Sequence, residues 1–163
     1  MVYRALGIMS GSSLDGLDLA FVEFHESAGK WDFALKASNC IQFPTEWKER
    51  LASAPTLSAF EYQLLHTAFG HFIGEKVNQF VIENNLEFQV QLISSHGHTC
   101  FHFPAQKMTA QIGDGAAIAA ITGINTVTDL RSLDIALGGQ GAPIVPVGEK
   151  LLWPATDLFL NIG

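Results

Sequence analysis

Three short stretches of this 163-residue chain carry side chains whose types and spacing suit chemistry. The first runs Gly7-Ile8-Met9-Ser10-Gly11-Ser12-Ser13-Leu14-Asp15-Gly16-Leu17-Asp18. A phosphate group needs several N–H donors aimed at one point with no side chain in the way. Glycines at 11 and 16 are expected to supply unusual φ angles there, and Ser10, Ser12 and Ser13 add hydroxyl donors. Carboxylates at Asp15 and Asp18 could hold Mg²⁺, directly or through water, and neutralise phosphate charge. The same composition also suits an ordinary hairpin turn. It is neither a Walker loop, lacking Gly-Lys-Ser/Thr, nor a dinucleotide fingerprint, whose glycine spacing is missing.

The second stretch, Ser94-Ser95-His96-Gly97-His98-Thr99-Cys100-Phe101-His102, sets three histidines and a thiol at alternate positions. On an extended strand four alternate residues span roughly 20 Å, whereas zinc ligands sit about 2 Å from their ion. Without a sharp bend at Gly97 at most two could share a metal, and no metal site is expected. A strand-end loop offering imidazole and hydroxyl groups to a polar ligand fits better, with backbone-satisfied histidines the plainer alternative for His98 and His102. The third stretch is Asp129-Leu130-Arg131-Ser132-Leu133-Asp134, followed by Gly138-Gly139-Gln140-Gly141-Ala142-Pro143. Arg131 is the only arginine after residue 50. In so charge-poor a region it must be paired, with Asp129 the obvious partner, or must serve a ligand. The glycine turn would admit a ligand to the backbone, and Gln140 offers both a donor and an acceptor. Asp114, between Gly113 and Gly115, reads simply as a helix N-cap.

These stretches need elements to hold them. Residues 3–9 and 17–24 read as a hairpin around the serine-rich turn, and a third strand is expected from 31 to about 41. Pro44 ends it, and Thr45 is placed to cap a helix through residue 52, with Glu46 in its first turn. Ser58 and Glu61 form a capping box for a helix of six to seven turns. Its expected apolar stripe is Phe60, Leu64, Ala68, Phe72, Val77, Phe80 and Val81, with Phe69 and Ile73 alongside. Asn84-Asn85 ends this helix, and Gly70 and Gly74 could admit a second backbone closely. Beyond it, strands are expected at 90–94, 99–103, 110–112, 125–130 and 158–162. Helices are expected at 116–122 and 147–152, with a loop over 135–146. This order predicts an α/β fold: a mixed β-sheet with flanking helices.

Composition narrows the class. The chain is 48% apolar and 15% charged, with a formal net charge of −7; its mean hydropathy is +0.22. That excludes intrinsic disorder, and with no basic cluster it argues against nucleic acid. No apolar run is long enough to span a membrane. Cys40 and Cys100 read as free thiols of a cytoplasmic protein. Residues 1–88 hold 17 of the 25 charged side chains, whereas 89–163 hold eight of them and nine of the 15 glycines. Low charge in the second part points to a cleft and to an exposed apolar face prone to self-association, a homodimer included.

Taken in order, six motifs resemble the anhydro-N-acetylmuramic acid kinases: GIMSGSSLDGLD (7–18), SHGHT (95–99), QIGD (111–114), TDLRSLD (128–134), GGQGAPIVP (138–146) and LFLNIG (158–163). The resemblance implies a ribonuclease H-like domain of the acetate and sugar kinase, Hsp70 and actin superfamily. ATP with Mg²⁺ and 1,6-anhydro-N-acetylmuramic acid would be the ligands. It maps the nucleotide segment onto Gly11, Ser12, Ser13, Leu14, Asp15, Gly16, Leu17 and Asp18. The sugar side falls to His96, Asp129, Arg131 and Gln140. It further implies that residues 1–157 form an N-terminal kinase domain and 158–163 the first strand of a second domain. Members are about twice this long, and their general base, an aspartate, falls beyond Gly163. The chain alone is therefore expected to lack turnover and to need the C-terminal half. His98 stands where many members have glutamine, and Ser132-Leu133 where many have two further arginines. A non-catalytic ligand-binding or assembly module on the same fold is the alternative reading.

Overall fold

The computed structural model describes residues 1–161. Three strands open the chain: β1 (Val2–Ser10), β2 (Gly16–Ser27) and β3 (Lys30–Gln42). They form an antiparallel meander, with Ser10 opposite Leu17 and Ser27 opposite Lys30. Helix α1 (Thr45–Ser53) follows, then the long α2 (Ala59–Glu83). Strand β4 (Leu92–Phe103) runs parallel to β1, which requires the crossover that α2 supplies. Strand β5 (Met108–Ile112) turns back antiparallel on β4. Helix α3 (Gly115–Thr122) leads to the short β6 (Thr126–Val127), parallel to β4. Two helices, α4 (Ser132–Ala136) and α5 (Ile144–Leu152), complete the described residues. The sheet runs β3-β2-β1-β4-β5, with β6 pairing the first part of β4. This is the mixed sheet with flanking helices expected from the sequence.

One face of the sheet carries the core. Alternate residues Leu6 and Ile8 of β1, Leu17, Leu19 and Phe21 of β2, and Ile93 of β4 are buried against α2. From α2 come Leu65, Phe69, Phe72, Ile73, Val77 and Phe80. Phe69, Phe72, Ile73, Val77 and Phe80 are buried as expected, but in the first turns Leu65 is buried while Phe60 and Leu64 face solvent at 73% and 55% exposure. Phe43 and Trp47 fix the buried side. Their rings pack, tilted, on Phe69 and Phe72 at centroid separations of 4.7–6.0 Å and claim that side of the helix. The capping box forms as expected: Ser58 Oγ accepts from Glu61 N–H, and Glu61 accepts from Ser58 N–H. Gly70 and Gly74 are where α3 crosses α2. A Cβ at Gly70 would lie 2.5 Å from the Asp114 carbonyl oxygen, and one at Gly74 2.8 Å from Ile121 Cβ.

Other expectations need correction. Pro44, not Thr45, holds the N-cap position of α1, whose first helical residue is Thr45. The two strands expected at 90–94 and 99–103 are one, because a bulge at 96–97 lets β4 pass Gly97 unbroken. The strand expected over 125–130 stops at Val127, since Asp129 takes a left-handed φ of 57°. The expected loop over 135–146 is shorter, with α4 reaching Ala136 and α5 beginning at Ile144. Residues 158–161 pair with no strand among the described residues, and Ile162, the end of the strand expected there, lies outside them. No helix of the described residues is long and apolar enough to cross a membrane.

Candidate functional site

Strand register brings the three candidate stretches to one end of the sheet. Strand β1 ends at Ser10, which is level with His98 on β4; β6 ends at Val127, level with Ser94. The 11–15 turn, the β4 bulge and the 129–131 segment therefore meet where the parallel strands end. In open α/β sheets that is where ligands bind.

The turn is built differently from the expectation. Neither Gly11 nor Gly16 has a positive φ; the left-handed residue is Leu14, at 56°. The Leu14 N–H donates to the Gly11 carbonyl at 3.2 Å and closes the turn. Gly16 is needed for space, because a Cβ there would lie 2.6 Å from the Ile41 carbonyl oxygen of β3. Ser12, Ser13 and Asp15 are exposed. Leu17 is wholly buried, so its side chain belongs to the core and only its backbone faces the turn. Asp18 points to the other face of β2, where it lines a cleft of about 720 Å³ with Met9, Ser38, Cys40, Ser94 and His96. Its carboxylate raises the Cys40 thiol, leaving that cysteine a poor nucleophile. The carboxylate oxygens of Asp15 and Asp18 are the hard donors that Mg²⁺ takes.

His96 lies at the boundary between two cavities. The second, about 670 Å³, is lined by His66, Ser95, His96, Gln111, Thr128, Asp129 and Ser132 among others. It is polar, and two buried side-chain atoms on its wall, Ser95 Oγ and Gln111 Oε1, have no partner among the described residues. Buried polar atoms are nearly always paired, so both lack a partner that the described residues do not supply.

Burial favours the neutral rings of His96 and His98. His96 Nδ1 lies 2.9 Å from the Gly97 carbonyl oxygen and must donate to it, which leaves Nε2 to accept from Arg131 Nε at 2.7 Å. Burial pushes the His96 ring below the ordinary histidine value and the Arg131 charge adds to this, against the hydrogen bond to Gly97. Burial likewise lowers His98, whose Nδ1 lies 3.1 Å from Ser10 Oγ. Among the described residues no three His, Cys, Asp or Glu side chains converge as metal ligands.

Arg131 does not form the ion pair with Asp129 that the sequence offered as one reading. Its Nη1 donates instead to the Gly141 carbonyl at 2.8 Å, and Asp129 accepts from Ser132 Oγ. The left-handed backbone at Asp129 turns its carboxylate toward the second cavity and away from the guanidinium. Gln140 is exposed and lines neither cavity. Asp114 is the N-cap of α3, accepting from Ala116 N–H at 2.9 Å. Sequence reasoning missed the role of Asp134, which accepts from Gly141 N–H at 2.7 Å; its signal was the glycine-rich turn just downstream. It also missed that Ser95 and Gln111, distant in sequence, line one cavity.

Comparison with known proteins gives the family. The family model described as anhydro-N-acetylmuramic acid kinase matches residues 3–163. A Vibrio parahaemolyticus protein of that name is 38% identical over 167 residues, covering 97% of this chain and 44% of the relative. A Pseudomonas putida protein of that name is 38% identical over 165 residues with the same two coverages. One from Synechococcus elongatus is 38% identical over 157 residues, covering 92% of this chain and 40% of its own. The chain thus spans less than half the length of these relatives. With its sheet order, its motifs and a match along nearly its whole length, the chain belongs to the anhydro-N-acetylmuramic acid kinase family.

Proposed function

We propose that this chain is the N-terminal part of an ATP-dependent kinase of the cytoplasm that phosphorylates 1,6-anhydro-N-acetylmuramic acid. The product is N-acetylmuramic acid 6-phosphate. Residues 1–157 form the first domain, and 158–163 open a second that the longer relatives supply. In the reaction water adds to the anomeric carbon as the bond from that carbon to O6 breaks. O6 takes the γ-phosphoryl group of ATP, the bond to ADP breaks, and the water's proton passes to a general base. Phosphoryl transfer is mostly positioning and charge stabilisation, and this chain's residues are suited to that share. The 11–15 turn offers backbone N–H groups and the Ser12 and Ser13 hydroxyls to phosphate oxygens. Mg²⁺, held through Asp15 or Asp18, would neutralise phosphate charge.

His96 and Asp129 take the sugar side, Gln140 belongs to the loop that follows, and Arg131 serves the site through the His96 ring. The observation that carries the reading is the polar chamber beside His96, lined by Asp129 and by Ser95 and Gln111, whose Oγ and Oε1 have no partner among the described residues. The general base is an aspartate outside this chain. The carboxylates of Asp15, Asp18, Asp129 and Asp134 have other tasks.

Calorimetric titration of the complete protein with 1,6-anhydro-N-acetylmuramic acid tests the substrate. Saturable binding is expected, and its absence would remove the sugar assignment even if ATP bound. The purified 163-residue chain with ATP, Mg²⁺ and the sugar should yield no sugar phosphate. Product from that mixture would place the base within this chain.

A further inference from the structure

One network ties β4 to the glycine-rich turn through charged side chains alone. Gly141 is buried and gripped at both its backbone polar groups. Asp134 Oδ2 accepts from its N–H at 2.7 Å, and Arg131 Nη1 donates to its carbonyl at 2.8 Å. The same guanidinium donates through Nε to His96 Nε2 at 2.7 Å. Hydrogen bonds with one ionised partner are the stronger kind, and three of them here share two side chains.

The turn is shaped around that grip. The Asp134 carboxylate fills the place where a Cβ at Gly139 would sit. Gly141 has a φ of 71°, and a Cβ on it would lie 2.8 Å from Ile135 Cδ1 and 2.9 Å from His102 Cε1. The left-handed φ calls for glycine at 141, and a side chain at 139 would displace the Asp134 carboxylate, so the glycines serve the clamp and not the free approach of a ligand to the backbone.

Arg131 itself has an unusual balance of partners. The ion pairs among the described residues centre on Glu23 and Glu46, and none includes Arg131. Two of its three nitrogens are spent on a neutral ring and a carbonyl, and it lines neither cavity at the site. An arginine placed to grasp a ligand would instead present its flat fork to open space.

We propose that Arg131 and Asp134 are positioning residues: together they clamp Gly141, fix the 138–143 loop against His96, and lock the His96 ring with its proton on Nδ1. Neither touches the sugar. The clamp belongs to this chain alone; its bearing on sugar binding rests on the kinase reading above.

Amide hydrogen exchange on the 163-residue chain, read by NMR with histidine ¹⁵N spectra, tests the clamp without any ligand. The Gly141 amide should exchange slowly in the native chain. In Asp134→Ala it should exchange about tenfold faster or more, and Asp134→Asn should restore protection, because the amide oxygen still accepts. In Arg131→Lys, whose single ammonium cannot serve both acceptors with the geometry of a guanidinium, the His96 spectrum should lose the pure Nδ1–H form. Fast Gly141 exchange in the native chain would overturn the clamp, as would an Asp134→Ala chain that exchanges at the native rate. An unchanged His96 spectrum in Arg131→Lys would overturn the lock. Titration with 1,6-anhydro-N-acetylmuramic acid then separates the readings. A direct nuclear Overhauser contact from the sugar to the Arg131 side chain would overturn its positioning role. Failure of the complete protein to bind sugar would remove the kinase reading and leave the exchange result standing.

Discussion

Residues before and after about position 130 treat their apolar side chains in opposite ways. The first region gathers Leu6, Phe21, Phe69, Ile73, Val77, Phe80, Ile93 and Ile118 into one continuous core at no more than 1% exposure. In the second, Ile135 is the one fully buried large apolar side chain among the described residues, while Leu133, Leu137 and Leu160 are 72%, 81% and 82% exposed. The second region is instead located by polar grips, Arg131 and Asp134 on Gly141, and by edge contacts such as Phe33 on Trp153. A hydrophobic core is non-directional and cooperative, whereas a few charged hydrogen bonds are directional and local. One region supplies the stability, and the other carries shape that a ligand or a further stretch of chain can use.

The sharpest way to break this contrast is to empty the core. Phe69 is fully buried and touches the rings of Phe43, Trp47 and Phe72. Phe69→Ala removes those contacts and leaves a cavity between α2 and the sheet, at a cost of about 3–5 kcal/mol. That is a large part of the stability of a domain this size. Urea unfolding followed by circular dichroism should show a midpoint far below the native one. A change under about 1 kcal/mol would mean that the core is not where the stability resides.

A smaller effect sits at the seam between the regions. His96 and His98 are 5% and 6% exposed, and burial holds both below their ordinary value of 6.5. The unfolded chain takes up protons at these rings near pH 6.5, while the folded chain resists until a lower pH. Stability should therefore be level above pH 6.5 and fall as pH drops beneath it, by at most about 1.4 kcal/mol per pH unit for each ring. Unfolding curves at pH 7.5, 6.5 and 5.5 measure this. His98→Gln keeps a polar group opposite Ser10 and should remove about half of the slope. A slope that survives unchanged would assign the proton uptake elsewhere.

The same contrast explains what could be read from the sequence. Periodicity located the β1–β3 meander, the capping box of α2 and the close passage at Gly70 and Gly74, because each follows from local spacing and burial. In α2 only the first turns were misread, because Phe60 and Leu64 fit the period as well as Leu65 does. Only Phe43 and Trp47, from another element, choose between them. At the candidate site, the stretches at 11–18, 96 and 129–131 come together at one end of the sheet. Their bonding was not legible, since the partner of Arg131 could be named as Asp129 from proximity in sequence, yet is His96, 35 positions away. Beyond residue 130 the pattern was weakest, because low charge there was compatible with a core, a cleft or an exposed face.

The smallest expected effect discriminates among those three. Leu133 is an early residue of α4, packed against little, and its neighbour in the loop, Leu137, is as exposed. If the second region contributed to the core, Leu133→Ala would cost the 2–5 kcal/mol of a buried leucine. With the side chain already in water it should change the unfolding free energy by no more than about 0.5 kcal/mol. Leu133→Ser adds a second measurement, since an exposed leucine contributes to association even where it contributes nothing to folding. Sedimentation at high concentration should show less self-association in Leu133→Ser than in the native chain, at equal unfolding midpoint. A lowered midpoint with unchanged association would make Leu133 part of a packed interior, and the division of the molecule at residue 130 would then be wrong.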